Sequence, residues 1–132
     1  MEKLLVIGNF ACHDGCEDDL FASQWSVGIF DTITDCLEAA LEDLRQVGRD
    51  HYECVLDTDM FDTAAEFELA VEDKVVDYVE NHWVRGFDII KKELEAFGHT
   101  EFLSNDFCCE DTDQRQITKY TVYKLEFGVK IR

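Results

Sequence analysis

The chain contains no proline and is poor in basic residues, with 12 Lys and Arg against 30 Asp and Glu in 132 residues. Since neither proline nor a Ser/Gly-rich run interrupts it, no linker is predicted, and residues 1–132 are expected to form one domain. No apolar stretch approaches the roughly 20 residues that a membrane-spanning helix needs. The first residues include no basic leader and no small-residue cleavage site, so we expect a cytoplasmic protein, working in a host cytosol.

The negative charge, −18 in total, is concentrated in one part of the chain. Residues 10–80 carry 20 acidic and 3 basic residues, whereas residues 81–132 carry 9 acidic and 8 basic residues. This balance disfavours direct binding to nucleic acid or to an anionic membrane, and it favours a strongly basic protein partner. Proteins with such surfaces are largely those that bind DNA or RNA. A hydrophobic content of 46% with ten Phe excludes a disordered acidic tail.

Six cysteines are present, and without a secretory signal reduced thiols are favoured over a disulfide framework. Cys36 and Cys54 have apolar neighbours in the sequence, so we predict both to be core thiols. A Cys–His pair, such as Cys12 with His13 or Cys54 with His51, is a candidate nucleophile. An acidic environment raises the pKa of a thiol and disfavours the reactive thiolate.

Metal binding has weak support. Cys12, His13 and Cys16 lie in one loop, and together with Cys108 and Cys109 they offer enough ligands for a zinc ion. Adjacent strand residues point to opposite faces, however, so Cys108 and Cys109 do not easily bind the same ion. We keep Cys12, His13 and Cys16 as weak metal candidates and expect no cofactor.

Known catalytic and calcium-binding motifs are missing. Asp57, Asp59 and Glu68 match three positions of an EF-hand loop, but Asp62 occupies the position where that loop needs glycine. No glycine-rich phosphate loop and no G-x-S-x-G elbow occurs. We therefore predict that the protein is not an enzyme.

Hydrophobic periodicity predicts an α+β domain of order ββαβ, αα, ββ, with a mixed or antiparallel sheet covered by helices. Asp31, Thr32 or Thr34 is expected to cap the first helix, and Gly48 to end it. The predicted elements are strands at 3–9 and 22–30, a helix to residue 47, a strand at 51–56, a long helix to residue 83, a helix at 87–97 ending at Gly98, and a hairpin of 101–109 with 117–130.

The long helix, opened by Asp62 or Thr63, is the most informative segment. Its acids recur at steps of four, seven, four and three, which places Asp62, Glu66, Asp73, Asp77 and Glu80 on one face. A row of carboxylates several ångströms apart resembles the phosphates of a DNA strand. Its apolar side is predicted to include Ala65, Leu69, Val76, Val79 and Trp83, widened by Phe67, Val71, Val75 and Tyr78.

The predicted partner-binding surface combines these acids with those of the first loop and the first helix. Because surface ion pairs give little affinity, aromatic anchors are also needed, with Phe61, Tyr78, Trp25 and Trp83 as candidates and Trp83 assigned to the core. The predicted partner-binding residues are Glu17, Asp18, Asp19, Glu38, Glu42, Asp57, Asp59, Asp62, Glu66, Asp73, Asp77, Glu80 and Phe61.

In size, charge and carboxylate placement the chain resembles the small, very acidic inhibitors of phages and mobile elements that act as DNA mimics. The resemblance implies an inhibitor of the anti-restriction or anti-CRISPR type, which occupies the basic nucleic-acid-binding surface of a DNA- or RNA-processing or host-defence enzyme. No family motif is matched residue by residue, so the resemblance assigns no functional positions.

Three other functions fit the same composition. The first is an immunity or antitoxin-like protein that neutralises one cognate basic toxin outside its DNA groove. The second is a small metal- or thiol-dependent enzyme, and the third is a domain whose acidity serves only solubility. A homo-oligomer is also expected if the long last strand lies at the edge of the sheet.

Overall fold

The computed structural model describes residues 2–14, 20–109 and 114–126, which form a five-stranded sheet and three α-helices. The predicted α+β class is confirmed. The elements in chain order are β1 (Glu2–Asp14), β2 (Leu20–Phe30), α1 (Ile33–Val55), a 3-10 turn (Thr58–Met60), α2 (Ala64–Val79), β3 (His82–Val84), α3 (Phe87–Phe97), β4 (His99–Cys109) and β5 (Gln114–Glu126).

The sheet has the strand order β2-β1-β5-β4-β3, and every neighbouring pair is antiparallel. The predicted hairpin is confirmed as β4 with β5. Strand β5 lies in the middle of the sheet, so the expectation that the last strand offers an edge for self-association is wrong. The edges are β2 and the three-residue β3.

Local sequence signals set the helix ends. The Thr32 side chain accepts a hydrogen bond from the backbone N–H of Asp35, and Thr63 accepts one from Glu66. Each contact satisfies one of the free N–H groups at a helix start. Helix α3 ends at Gly98, whose φ of 79° is the left-handed conformation that glycine adopts without strain.

Gly48 does not end α1, and the strand predicted at 51–56 is wrong because those residues continue the helix to Val55. A Cβ atom placed on Gly48 would lie 2.7 Å from Cδ1 of Tyr78 in α2. Glycine therefore allows the two helices to approach closely, although it costs about 1 kcal/mol of helix propensity relative to alanine. The short third strand lies after α2 instead.

One face of the sheet receives all three helices. Side chains on this face bond to each helix in turn: Tyr120 donates to Asp43 of α1, Thr100 donates to Glu93 of α3, and Thr118 contacts the Tyr78 hydroxyl of α2. The buried positions of β5 are Gln116, Thr118, Tyr120 and Val122.

The opposite face, here called the open face, is not covered by any helix of the described chain. Strand pairing places Ile29, Leu5, Tyr123 and His99 in one row across it. Trp83 of β3 lies opposite Ser104 on the same face and is 55% exposed. The assignment of Trp83 to the core of the long helix is therefore wrong, because the helix stops at Val79.

Helix α2 buries three of the residues that were predicted to widen its apolar side, but it exposes two of those predicted at the centre of that side. Val71, Val75 and Tyr78 are buried, whereas Leu69 is 67% and Val76 is 57% exposed. Apolar residues occur around most of this helix, so hydrophobic periodicity alone does not determine which side faces the core. Contact with α1 determines it. Among the described residues, no helix has the length and apolar character needed to cross a bilayer.

Candidate functional site

The outer side of α2 carries a row of carboxylates that we call the acidic face, formed by Glu66, Asp73, Asp77 and Glu80. All four side chains are exposed, and their spacing of seven, four and three residues keeps them on one side of the helix. At about 1.5 Å per residue the row extends over about 21 Å. Within the described part of the chain, none of the four forms an ion pair.

The acids on the side of α2 that faces α1 behave differently. Arg49 of α1 forms ion pairs with Glu68 and Glu72 of α2 and with Glu53 of its own helix, the last at 2.8 Å. Its hydrogen bond to Glu68 raises the pKa of Arg49 further above its usual value. Carboxylates at the helix junction are thus neutralised, while those of the acidic face are left to solvent.

The acidic face is continued at its N-terminal end. The Asp57 carboxylate accepts a hydrogen bond from the backbone N–H of Asp59, and the Asp62 N–H donates to Glu66. All three aspartates are exposed. The three aspartates lie just before the start of α2, where the positive end of the helix dipole makes negative charge favourable. Glu68, the third acid of the predicted EF-hand match, is paired with Arg49 of α1.

Two of the predicted partner-binding residues, Glu38 and Glu42, lie exposed on α1. Glu42 pairs with Arg45 at 3.3 Å. Arg45 and Glu80 line one shallow groove between α1 and α2, with a volume of about 290 Å³. Glu42 therefore lies close to the groove at the end of the acidic face, and the charge of Arg45 reduces the negative potential there.

The aromatic anchors proposed from the sequence are mostly committed to the fold. Tyr78 is fully buried and bonded to Thr118, and its pKa is raised by burial. Phe61 is partly buried, with its ring 5.7 Å from that of Phe67. Trp25 is partly buried and donates to Asp43. Tyr78 is therefore excluded as an anchor.

Sequence reasoning missed Leu69 and Val76 as surface residues. Leu69 lies three residues after Glu66 and four before Asp73, and Val76 has the same relation to Asp73 and Glu80. Both side chains therefore alternate with the carboxylates along the exposed side. Their spacing of seven equals that of Glu66, Asp73 and Glu80, a signal that was available in the sequence.

A second candidate site is a pocket of about 520 Å³ between the second half of α1 and strands β1, β2 and β5. Its floor contains Asp43, which accepts hydrogen bonds from Trp25 Nε1 at 2.9 Å and from the Tyr120 hydroxyl at 2.7 Å. Burial, followed by the contact with Asp43, raises the pKa of Tyr120. His51 and Cys54 also line the pocket.

The cysteines give mixed outcomes. Cys36 is a buried free thiol as predicted, and burial raises its pKa to about 11, which disfavours a thiolate. Cys54 is free but exposed, so its assignment to the core is wrong. On helix α1 it lies about 200° around the axis from the buried Tyr52, so the two side chains point to opposite sides.

Some predicted site residues fall where the structure gives no side-chain description. Residues Glu17, Asp18 and Asp19 lie outside the described residues, as do Cys16 and the side chains of Cys12, His13, Cys108 and Cys109. Among the side chains that are described, no group of three or more His, Cys, Asp and Glu has a metal-binding arrangement.

Comparisons with protein-family models, with curated proteins and with solved structures give no match for this chain. The functional conclusion therefore rests on the chemistry of the acidic face.

Proposed function

We propose that this protein is an inhibitor that binds the basic nucleic-acid-binding surface of a DNA- or RNA-processing or host-defence enzyme, as anti-restriction and anti-CRISPR DNA mimics do. The acidic face of α2 is the contact surface, extended by Asp57, Asp59 and Asp62. The observation that carries the proposal is that this exposed row of carboxylates has no ion-pair partner in the described chain, whereas the acids at the junction with α1 do.

The acidic face is unfavourable for the isolated protein. Asp73 and Asp77 are four residues apart and Asp77 and Glu80 three, so they repel each other by a few tenths of a kcal/mol per pair. Asp77 and Glu80 also lie at the C-terminal end of the helix, where its dipole disfavours negative charge. A cationic partner removes both costs, which favours binding as the reason for this arrangement.

Charge alone does not supply the affinity. Exposed ion pairs contribute about 0–1 kcal/mol each, while burial of one aliphatic side chain contributes about 1.5–3 kcal/mol. Leu69 and Val76 alternate with the carboxylates and are more than half exposed, so they provide apolar contacts at the centre of the interface. Opposite fields would accelerate association, and added salt would slow it.

Leu69 and Val76 also favour a second candidate, an immunity or antitoxin-like protein that binds a cognate basic toxin. The DNA-binding groove of a partner enzyme interacts mainly with phosphates, so a protein that binds there needs carboxylates more than aliphatic side chains. A partner surface outside that groove offers apolar depressions that can bind Leu69 and Val76. The two candidates differ in their response to nucleic acid, since a mimic competes with duplex DNA and a binder outside the groove does not.

The proposal is tested with two double variants that change the charge equally. Asp73→Asn/Glu80→Gln removes two carboxylates of the acidic face, and Asp88→Asn/Glu95→Gln removes an exposed Asp and Glu from α3. Each variant and the wild type are used for affinity capture from host lysate at low and high salt. The captured protein is then purified and assayed for inhibition, with and without duplex DNA.

We expect wild type and the α3 variant to inhibit equally, and the acidic-face variant to lose at least about tenfold in affinity, corresponding to about 1.4 kcal/mol. Equal inhibition by all three proteins would rule out the acidic face. If the partner is still captured at high salt and duplex DNA does not compete with its binding, the result would favour the immunity-like candidate over the DNA mimic.

A further inference from the structure

Strand β2 (Leu20–Phe30) forms a long free edge of the sheet. It pairs with β1 on one side, and no strand of the described chain lies on its other side. The outer side of an edge strand presents backbone N–H and C=O groups that can pair with another strand. The opposite edge, β3, has only three residues and offers far less backbone for such pairing.

The sequence of β2 lacks the features that usually protect an edge strand. None of its 11 residues is charged or proline, although 32% of the chain is charged. The other long strands, β1, β4 and β5, each contain at least two charged residues. Proteins commonly block edges with charged side chains or proline, so β2 is left open to pairing.

A β-bulge sets the length of β2 that is regular enough to pair. The register with β1 shifts where β2 has one extra residue, Val27, opposite the step from Val6 to Ile7. Such a bulge interrupts regular pairing. From Leu20 to Ser26 the register is continuous, so seven residues are available, which exceeds the average strand length of about 5–6 residues.

The described side chains along this segment allow another strand to approach. Ser23, Gln24 and Ser26 are exposed, uncharged and of small or medium size. Gln24 donates a hydrogen bond to Asn9 of β1, within the same sheet. The segment therefore presents polar, uncharged side chains beside an open backbone edge.

Charge identifies the partner. A basic partner would gain no ion pair from an uncharged strand, so this edge is separate from the contact proposed for the acidic face. A second copy of the chain suits the edge, because β2 brings no carboxylate against the other copy even though each chain has a net charge of −18. Two identical antiparallel strands also complement each other around a two-fold axis, which gives a closed dimer.

We propose that two copies of this chain form a dimer by antiparallel pairing of their Leu20–Ser26 segments. The dimer joins two five-stranded sheets into one of ten strands. With full overlap of the segments, Ser23 lies on the two-fold axis, and Gln24 lies opposite Ala22 of the second copy. The two Gln24 side chains are then diagonal neighbours on one face of the sheet, about 7–8 Å apart. This dimer does not depend on the proposed inhibition.

Analytical ultracentrifugation of the full chain under reducing conditions tests the proposal, since reduced cysteines exclude disulfide-linked dimers. We expect a dimer with a Kd of about 100 µM or tighter. Added salt should strengthen it, because salt screens the repulsion between two chains of net charge −18. Capture of a basic partner weakens with salt, so the two proposals fail independently. A chain that stays monomeric at about 500 µM and high salt would overturn the dimer.

Charged variants at Gln24 then locate the contact. Gln24→Glu and Gln24→Lys should each dimerise at least about threefold more weakly than wild type, because like charges meet across the axis. An equimolar mixture of the two should associate at least about threefold more tightly than either alone, which also shows that both variants are folded. Ala96→Glu and Ala96→Lys, exposed on α3, are the matched controls and should dimerise as wild type does.

Two kinds of result with these variants would overturn the proposal. If both Gln24 variants dimerise like wild type, or their mixture associates no more tightly than either variant, the contact lies away from β2. If the Ala96 variants weaken as much as the Gln24 variants, the net charge and not the edge strand controls association.

Discussion

The outer side of α2 and the open face of the sheet are both exposed, but they carry charge in different ways. On α2 the four carboxylates of the acidic face form no ion pair within the described chain. On the open face, Glu101 lies 3.8 Å from Lys119, and Lys3 at the end of the sheet pairs with Asp31. Exposed acids without an ion pair in the described chain also occur on the other helices, for example Glu38 and Asp88, but on α2 four of them are aligned on one side. This alignment is not needed for hydration, so it supports a partner for that helix.

The two surfaces also differ in how their apolar residues are placed. Ile29, Leu5 and Tyr123 form an apolar row on the open face, and Asn9 and Lys119 belong to a polar row two rows away. On α2, Leu69 and Val76 alternate with carboxylates instead. A mixed surface of this kind suits a partner that is both basic and partly apolar, whereas the row on the sheet has no such charge pattern.

The largest expected effect comes from removing the exposed apolar side chains of α2. Leu69→Ala/Val76→Ala should weaken binding of the captured partner by about 2–4 kcal/mol, since both side chains lose buried area in the complex. Stability of the free protein should change by no more than about 0.5 kcal/mol, because both positions are exposed. Titration calorimetry measures the affinity, and urea unfolding measures the stability.

Ile29→Ala is the control for that variant, because Ile29 is 54% exposed on the open face. It should leave the affinity for the partner unchanged. A loss of affinity in Ile29→Ala as large as in the α2 variant would place the contact on the sheet and reject the role of α2.

The next effect tests how the acidic face is held in position. Gly48→Ala should destabilise the fold by about 1–3 kcal/mol, because the new methyl group meets the buried ring of Tyr78 and this cost exceeds the gain in helix propensity. In Gly86→Ala the added Cβ is 3.8 Å from the nearest atom, Cδ1 of Ile89, so that variant should change stability by less than about 1 kcal/mol. If urea unfolding gives Gly48→Ala a stability equal to or above wild type, close approach of the helices is not the reason for the glycine.

The smallest effect concerns repulsion in the free protein. Asp73→Asn/Glu80→Gln should stabilise the fold by about 0.5–1 kcal/mol at low salt, since it removes like-charge neighbours and an unfavourable charge at the helix end. The gain should shrink as salt screens the charges. Thermal unfolding at two salt concentrations measures it.

Glu101→Gln provides the comparison on the open face. Its carboxylate lies near Lys119, so its removal should bring no gain. A stability gain of the same size in Glu101→Gln would mean that general charge reduction, and not the arrangement on α2, controls stability.

Several elements were predictable because their signals are local. Thr32 and Thr63 were named among the candidate caps, and α3 was predicted at its observed bounds with Gly98 after it. The hairpin of β4 and β5 follows from alternating residues on either side of a polar turn. Each of these depends on residues close in sequence.

The errors arose where the sequence supports two local structures. Residues 51–56 contain apolar and aromatic residues that suit a strand, but residues 51–55 continue α1 and bury Tyr52 in the core. Gly48 was read as a helix end, although its role is set by Tyr78, a residue 30 positions away. No local pattern reveals such a contact.

The candidate site was predicted only in part for the same reason. The sequence identified the carboxylates of the acidic face, but it assigned Leu69 and Val76 to the core, and it kept Tyr78 as a candidate anchor although that residue was also placed on the apolar side of the helix. The pocket was not predicted at all, because its walls come from α1 and three strands that are distant in the chain.

The sequence by itself determined the charge, the helix starts and the alignment of Glu66, Asp73, Asp77 and Glu80, because a helix repeats every 3.6 residues wherever it lies. Only the tertiary structure decided which side of α2 is buried. That side was selected by contact with α1 at Gly48 and by the ion pairs of Arg49, and these long-range contacts left the carboxylates exposed beside Leu69 and Val76.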